Sequence, residues 1–246
     1  MKNKIKYLLV SFPVLLSCLS FSQNSKTDSL LTALKITKED TIKVNILNDL
    51  FNEYEYADAV KAEDVLNKAK IAAQSAGYKK GLAITMLNSG FLSEDKEDFS
   101  LALKQFNECL KIAEEAGDKK IIADVYNNIG SANYSQGNYS EALKNYSLSL
   151  KIREPLHDKK GEANSYNNIG LIYDDEGNYS ESVKNHLTAL KLLEAAGDKK
   201  GIAASYNNLG AVYDAQGNYM EALKNYSASL KMRETMGDKG DIAPAF

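Results

Sequence analysis

The middle of the chain carries apolar residues at the spacing of amphipathic helices. In residues 118–157 an apolar side chain recurs every three or four positions through two successive segments, as it does along one helix face. Gly137 and Asn138 separate the two segments. The apolar positions are Ile122, Tyr126, Ile129, Tyr139, Ala142, Leu143, Tyr146 and Leu150. The pattern predicts two helices joined by a short turn.

This helix pair is repeated along the chain. Residues 118–157 match residues 198–237 at 25 of 40 positions, and residues 158–197 continue the same register. Such self-similarity indicates a stack of helix hairpins, so we predict an all-α fold of at least ten helices with no sheet. Two weaker copies come first, and the five predicted repeats are 41–77, 80–117, 118–157, 158–197 and 198–237.

Turn and packing residues recur with the repeat. Gly137 suits the left-handed position that ends a helix, and Asn138 with Glu141 predicts a capped start for the next one. Gly130 and Ala142 lack bulk, so we expect the paired helices to approach closely there. Tyrosines 126, 139 and 146 are expected to fill the space between successive hairpins.

These motifs resemble the tetratricopeptide repeat (TPR) family. In the last repeat the matching positions are Tyr206, Leu209, Gly210, Tyr213, Gly217, Tyr219, Ala222, Tyr226 and Ser229. The period of 40 residues is longer than the family's usual one of about 34. In this it resembles long-repeat members such as kinesin light chains and bacterial peptide-sensing regulators. The resemblance implies a right-handed superhelical solenoid whose first helices line a concave face.

The N-terminus has the features of an export signal. Three lysines precede a short apolar run, and small residues precede Gln23, so we expect a signal peptide at residues 1–22. Residues 15–18 also resemble a lipobox, which would make Cys18 a lipidation site. Residues 23–40 are interpreted as a leader with a short helix, capped at Asp28, that covers the first hairpin. An exported, periplasmic or envelope-associated protein follows from either signal.

Composition restricts the function. The formal net charge is −3, with no concentrated basic segment, so nucleic acid is not an expected partner. Cys109 stands where other repeats have Ala or Ser and is interpreted as a core residue. His186 stands where they have Phe or Tyr, and His157 replaces a turn glycine. No catalytic, metal or cofactor motif is present, so we predict no enzyme in this segment and no cofactor.

Asparagines mark the predicted binding face. In the families that this chain resembles, Asn at these offsets holds bound peptides, and an amide both donates and accepts hydrogen bonds. The alternative is that these amides join neighbouring hairpins. The candidate residues are Asn88, Asp124, Asn127, Asn128, Asn164, Asn167, Asn168, Asp174, Asn207, Asn208 and Asp214, with Asp175 beside them. Because no Lys or Arg is expected on this face, a neutral or basic peptide or protein segment is the predicted partner.

Three functions fit these observations. The first is a non-catalytic, exported binding scaffold. The second is the N-terminal sensory region of a bacterial membrane signalling protein, a histidine kinase or a nucleotide cyclase, with its effector domain beyond residue 246. The third is a structural spacer. Residues 238–246 match the start of a sixth repeat, so we expect an uncovered end at Leu223, Tyr226 and Leu230. Membrane attachment is expected only through a lipid anchor or a later span.

Overall fold

The computed structural model describes residues 15–237, and their side chains from residue 26 onward. Within this part of the chain all regular structure is helical, which confirms the all-α prediction. The helices are α1 (Leu15–Ile36), α2 (Asp40–Tyr54), α3 (Ala59–Ser75), α4 (Lys79–Asp95), α5 (Phe99–Ala116), α6 (Lys119–Ser135), α7 (Tyr139–Arg153), α8 (Lys159–Asp175), α9 (Tyr179–Ala196), α10 (Lys199–Ala215) and α11 (Tyr219–Thr235), with a 3-10 turn at Glu154–Leu156. We number the hairpins 1 to 5 from α2–α3 to α10–α11.

Contacts divide the chain into two compact units, Met1–Asn88 and Ser89–Phe246, with the boundary inside α4. In the first unit α1 packs on α2, and α2 packs on α3. Leu50, Phe51 and Leu66 are buried in this unit. An ion pair between Lys26 and Glu53 links α1 to α2. This unit therefore contains one complete hairpin with a helix packed in front of it.

In the second unit each hairpin packs against the next. Around Tyr146 and Leu150 of α7, the core includes Ile169 and Ile172 of α8. Around Leu190 and Leu193 of α9, it includes Ile202 and Leu209 of α10. The second helix of one hairpin therefore packs on the first helix of the following hairpin, as expected for stacked repeats.

The face of α11 that corresponds to the packed faces of α7 and α9 is largely exposed. Leu223 of α11 is 65% exposed and Leu230 is 39% exposed, while Tyr219 is also exposed. The equivalent residues of α7, Leu143 and Leu150, belong to the core between hairpins 3 and 4. Among the described residues, no later hairpin packs against α11.

A glycine faces an aromatic ring inside four hairpins. A Cβ atom at Gly130 would lie 2.6 Å from Tyr146, and one at Gly210 would lie 2.6 Å from Tyr226. The other two pairs are Gly90 with Phe106 and Gly170 with His186. The predicted close approach at Gly130 is confirmed. His186 is confirmed as a packed ring because its side chain is 0% exposed, and Cys109 is buried as predicted.

Left-handed residues end the helices where the sequence predicted turns. Gly137, Gly177 and Gly217 have φ values of 76, 73 and 73°. His157 takes the same conformation with φ 53° in place of a glycine, and Glu97 does so with φ 58°. The degenerate turn of hairpin 2 therefore keeps the backbone geometry without glycine.

Asn138 stands at the N-cap position of α7 as predicted, but the predicted side-chain capping bond is absent. Its side-chain amide donates to Gln136 Oε1 at 3.3 Å and makes no capping bond to α7. Asn178 does cap α9, where its Oδ1 accepts from the Glu181 amide at 3.4 Å. In hairpins 3 to 5 the more regular caps belong to the first helices, because the side chains of Asp118, Asp158 and Asp198 each accept a backbone N–H three residues later.

The N-terminal helix begins earlier than predicted. The sequence placed a cap at Asp28, but α1 runs from Leu15 to Ile36 and Asp28 lies inside it. Its carbonyl accepts from the Thr32 hydroxyl at 2.8 Å, as in a continuous helix. Most of the expected signal peptide at residues 1–22, the Cys18 side chain and the sixth-repeat segment at 238–246 lie outside the described residues.

Candidate functional site

In the pairs of α6 and α8, the first asparagine joins neighbouring hairpins. Asn127 Oδ1 on α6 accepts a hydrogen bond from the Ser165 hydroxyl on α8 at 3.0 Å. It also lies 3.4 Å from Asn168 Nδ2, which donates to it. Asn127 therefore connects hairpin 3 to hairpin 4, which is the packing role that the sequence analysis kept as an alternative.

Asn167 makes the equivalent connection one repeat later. Its Nδ2 donates to Ser205 Oγ on α10 at 3.2 Å, and its Oδ1 lies 2.9 Å from Nδ1 of His186. Since an amide oxygen only accepts hydrogen bonds, Nδ1 of His186 carries the proton in this arrangement. Asn167 thus connects α8 to both α9 and α10.

The second asparagines of the three pairs make few side-chain hydrogen bonds. Asn128 on α6 and Asn208 on α10 are half-buried. Their side chains make no hydrogen bond within residues 26–237, whereas Asn168 is used by its contact with Asn127. Asn164 and Asn207 are exposed. The structure therefore separates the two members of a pair that the sequence treated alike.

The first unit contains an asparagine that the sequence analysis missed. Asn48 on α2 and Asn88 on α4 are both buried, and Asn88 Nδ2 donates to Asn48 Oδ1 at 3.3 Å. The Thr85 hydroxyl donates to the same oxygen at 3.1 Å. Asn48 precedes Asn88 by one repeat period, which was the available signal, but the degenerate surroundings of hairpin 1 concealed it.

One of the candidate acids forms an ion pair. Asp124 Oδ1 on α6 accepts from Nη2 of Arg153 at 2.5 Å. The Arg153 side chain is 5% exposed and also contacts Asp158 and the Ser149 hydroxyl. The expectation that no basic residue reaches the candidate acids is therefore wrong at Asp124, because the arginine comes from the second helix of the hairpin.

The other acids cluster near the ends of α8 and α10. Asp175 Oδ2 accepts from the Tyr134 hydroxyl at 2.7 Å and from the Tyr139 hydroxyl at 3.1 Å. The two tyrosine rings stack with centroids 5.7 Å apart. Burial and the charge of Asp175 raise the pKa of Asp174. Asp214 on α10 is exposed.

Glu94 on α4 belongs to the same series of positions. Burial and the neighbouring charge of Asp95 raise the pKa of Glu94 to about 7, against the opposing effect of a hydrogen bond with Ser131. Equivalent positions lie 40 residues apart along the sequence, and here they are Glu94, Tyr134, Asp174 and Asp214. An acidic or phenolic group therefore recurs near the end of each first helix in the second unit.

The described residues offer no sign of metal chemistry. No group of three or more His, Cys, Asp or Glu side chains in this part of the chain could hold a metal ion. Burial lowers the pKa of His186 to about 4, so its imidazole is neutral at pH 7. None of the helices searched among these residues has the length and apolar composition of a membrane span.

The repeats match a known family. A family model described as tetratricopeptide repeat matches residues 121–195 and again residues 161–235. Residues 121–235 belong to the tetratricopeptide repeat family. The two matches overlap by one repeat, so hairpins 3 to 5 are its clearest TPR units. No curated protein has a sequence that matches the whole chain significantly.

Solved TPR structures share the fold at low sequence identity. BtubC (BKLC) from P. vanneervenii has a TM-score of 0.69 and 20% identity, with 96% of this chain and 97% of that chain covered. A Rap protein complexed with competence and sporulation factor has a TM-score of 0.69 and 14% identity over 92% and 74% of the two chains.

A third TPR structure is part of a much longer protein. It is a signal-transduction ATPase with a tetratricopeptide repeat sensor, from Pyrococcus horikoshii, with a TM-score of 0.69 and 18% identity. The match covers 91% of this chain but 35% of the ATPase. At these identities the likeness establishes the fold alone.

Proposed function

We propose that this TPR chain is a non-catalytic scaffold that binds a peptide or protein segment along the first helices of hairpins 3 to 5. The observation that carries the proposal is the state of Asn128 and Asn208. Both amides are half-buried and make no hydrogen bond within the described residues. An amide can donate to a peptide carbonyl and accept from a peptide N–H at once. A bound backbone would therefore satisfy both groups.

Two further observations support this proposal. Asn127 and Asn167 join neighbouring hairpins by hydrogen bonds, and these bonds fix the positions of the helices that carry Asn128 and Asn208. The Rap protein of similar fold was solved with competence and sporulation factor bound, so an array of this kind accommodates a second molecule. The acidic residues on the same helices favour a neutral or basic segment over an acidic one.

A peptide library would test the proposal. We expect Asn128→Ala with Asn208→Ala to weaken binding by about 1 to 3 kcal/mol per buried amide, because a partner group loses its hydrogen bond. The matched control is Asn127→Ala with Asn167→Ala, which removes the same chemistry from the bracing positions. We expect that control to lower the melting temperature more than the affinity.

The alternative role as a spacer predicts a different result. A spacer needs the amides for packing only, so no member of the library would bind the wild-type chain. Binders that keep full affinity for the Asn128→Ala, Asn208→Ala protein would place the site elsewhere. Melting curves for every variant separate these outcomes from unfolding.

We propose that the chain is exported and works in the periplasm or the bacterial envelope. The lysines, the short apolar run and the small residues before Gln23 support signal-peptide cleavage, and the Cys18 sequence supports lipidation as the alternative. Mass spectrometry of the protein from a bacterial envelope distinguishes them. Gln23 as the first residue supports cleavage, an acylated Cys18 supports a lipoprotein, and an intact Met1 in the cytosol contradicts both.

A second candidate function is a sensor within a signalling protein. The ATPase from Pyrococcus horikoshii carries its tetratricopeptide repeats as a sensor, in a chain of which the match covers 35%. In that role a peptide bound to hairpins 3 to 5 would regulate an effector domain beyond residue 246. Sequencing the reading frame past Phe246 would decide between a separate scaffold and a sensor.

A further inference from the structure

A stacked pair of tyrosines and a carboxylate meet where hairpin 3 adjoins hairpin 4. The rings of Tyr134 and Tyr139 have centroids 5.7 Å apart, with 29° between their planes. Both hydroxyls donate to Oδ2 of Asp175, at 2.7 and 3.1 Å. These bonds fix the carboxylate at the edge of the aromatic pair, and Oδ1 of Asp175 has no partner within the described residues.

Among the described residues, no Lys or Arg neutralises the carboxylates of Asp174 and Asp175. Residues 121–135, 161–175 and 201–215 contain no Lys or Arg. Among residues 26–237 neither Asp174 nor Asp175 takes part in an ion pair. Arg153 contacts an acid of these helices, but that acid is Asp124, near the opposite end of α6. Asp174 and Asp175 therefore keep their charges unpaired beside two electron-rich rings.

Two buried acceptors in hairpin 4 also lack a donor. The wholly buried His186 donates a hydrogen bond from Nδ1 to Asn167, so its Nε2 is unprotonated and can only accept one. No described residue donates to this nitrogen. A Cβ atom on Gly170 would lie 2.8 Å from that Nε2. Asp174 follows Gly170 by four residues on the same helix face, and its Oδ1 is likewise buried without a partner.

In the flanking hairpins a tyrosine occupies the position of His186. Tyr146 and Tyr226 extend a phenol over Gly130 and Gly210, whereas the shorter imidazole presents an unprotonated nitrogen over Gly170. Hairpin 4 thus differs from its neighbours by a buried, unprotonated ring nitrogen at His186, in the same hairpin as the unpaired carboxylates of Asp174 and Asp175. The group that complements the carboxylates of Asp174 and Asp175 carries several N–H donors and a positive charge.

We propose that Tyr134, Tyr139, Asp174 and Asp175 form a subsite for the basic side chain of a bound peptide, a lysine ammonium or an arginine guanidinium. The subsite rests on the proposed function, because it supplies the charge recognition for a segment whose backbone the asparagines hold. The cation pairs with the carboxylates and lies against the tyrosine rings, which attract it through their negative faces. His186 is wholly buried and does not touch the ligand.

The experiment uses the full chain and a fluorescein-labelled hexapeptide library. One position is fixed in turn as lysine, arginine, glutamate or norleucine, which keeps the lysine stem without the ammonium. Fluorescence anisotropy compares the wild type with Asp175→Asn, which keeps the shape and an acceptor for the tyrosines but removes the charge. Glu194→Gln is the matched control, because it removes one charge from the exposed surface of α9 in the same hairpin.

We expect the lysine and arginine sublibraries to bind the wild type about tenfold more tightly than the norleucine sublibrary. Asp175→Asn should abolish most of that preference while Glu194→Gln keeps it, and added salt should reduce it in the wild type. If peptides bind but lysine and norleucine bind equally, or if Asp175→Asn and Glu194→Gln behave alike, the subsite is wrong and the scaffold stands. If no sublibrary binds, the proposed function itself is wrong.

Discussion

The ring of Tyr146 covers Gly130 so closely that a Cβ atom at residue 130 would lie 2.6 Å from ring carbon Cε1. Tyr146 is buried in the core between hairpins 3 and 4, where Ile169 and Ile172 hold its other side. The ring therefore has no free space into which it could retreat. This contact explains why a helix-weakening residue stands in the middle of α6.

The first prediction tests this contact. Replacing Gly130 by Leu should destabilise the fold by about 1 to 3 kcal/mol, because the added bulk must displace a buried ring. The gain in helix propensity on removing a glycine, about 1 kcal/mol, offsets only part of that cost. Thermal unfolding followed by circular dichroism measures the change. Truncating the ring in a Gly130→Ala, Tyr146→Leu protein should recover stability relative to Gly130→Ala, and equal melting temperatures for Gly130→Leu and the wild type would contradict the contact.

The second prediction concerns His186. Burial lowers its pKa to about 4 in the folded chain, against 6.5 in the unfolded chain, so the unfolded state binds the proton more tightly. The resulting stability is fully present above about pH 6.5 and is lost as the pH falls towards 4. The shift corresponds to about 3 kcal/mol at most. Denaturation midpoints between pH 4 and 7 should therefore vary less with pH in His186→Phe than in the wild type.

The third prediction concerns Glu94, whose effect has the opposite sign. The folded chain raises its pKa to about 7 from 4.5, so the folded state binds the proton more tightly. Its contribution is present below pH 4.5 and is lost as the pH rises through 7. Glu94 is half-buried, so water reduces the effect. The Glu94→Gln protein should therefore gain stability relative to the wild type as the pH rises from 5 to 8. A constant difference over that range would contradict the prediction, with Glu114→Gln on the exposed surface of α5 as control.

The fourth prediction concerns the buried Arg153. Its guanidinium contacts Asp124 and Asp158, which are 33 and 25% exposed and can regain water when the arginine is removed. Arg153→Ala should cost about 2 to 4 kcal/mol, because it loses the ion pairs and leaves a cavity. Arg153→Leu should cost less, since Leu193 fills the equivalent position beside Gly201 in hairpin 4. Urea denaturation of both variants measures this order, and a leucine variant less stable than the alanine variant would contradict it.

The helices, their turns and the glycine contacts followed from periodicity because they repeat. A spacing of three or four residues identifies a buried face whatever its exact neighbours are, and a third copy of the same text corrects errors in the first two. The left-handed turn at Glu97 was harder to predict because no glycine marks it. The start of α1 was misplaced for a similar reason, since a possible cap at Asp28 does not stop a helix that already continues through it.

The candidate site was less accessible to sequence reasoning. Asn127 and Asn128 are adjacent, and their side chains project from the helix about 100° apart. Deciding which of them meets the next hairpin requires the position of Ser165, thirty-eight residues away in the chain. The pairing of Asp124 with Arg153 likewise depends on where α7 ends, and no pattern within α6 reports it.

The exposed face of α11 has a counterpart on α7 and α9, and this makes the joints between hairpins interchangeable. If residues 158–197 were deleted, α7 would meet α10 in place of α8, and Arg153 would find Asp198 and Gly201 where it now contacts Asp158 and Gly161. Unequal recombination between the similar gene segments can therefore add or remove a whole repeat without creating a mismatched joint. The number of repeats can therefore change without a change in the residues of each hairpin, and related chains can differ in length while keeping the same contacts between hairpins.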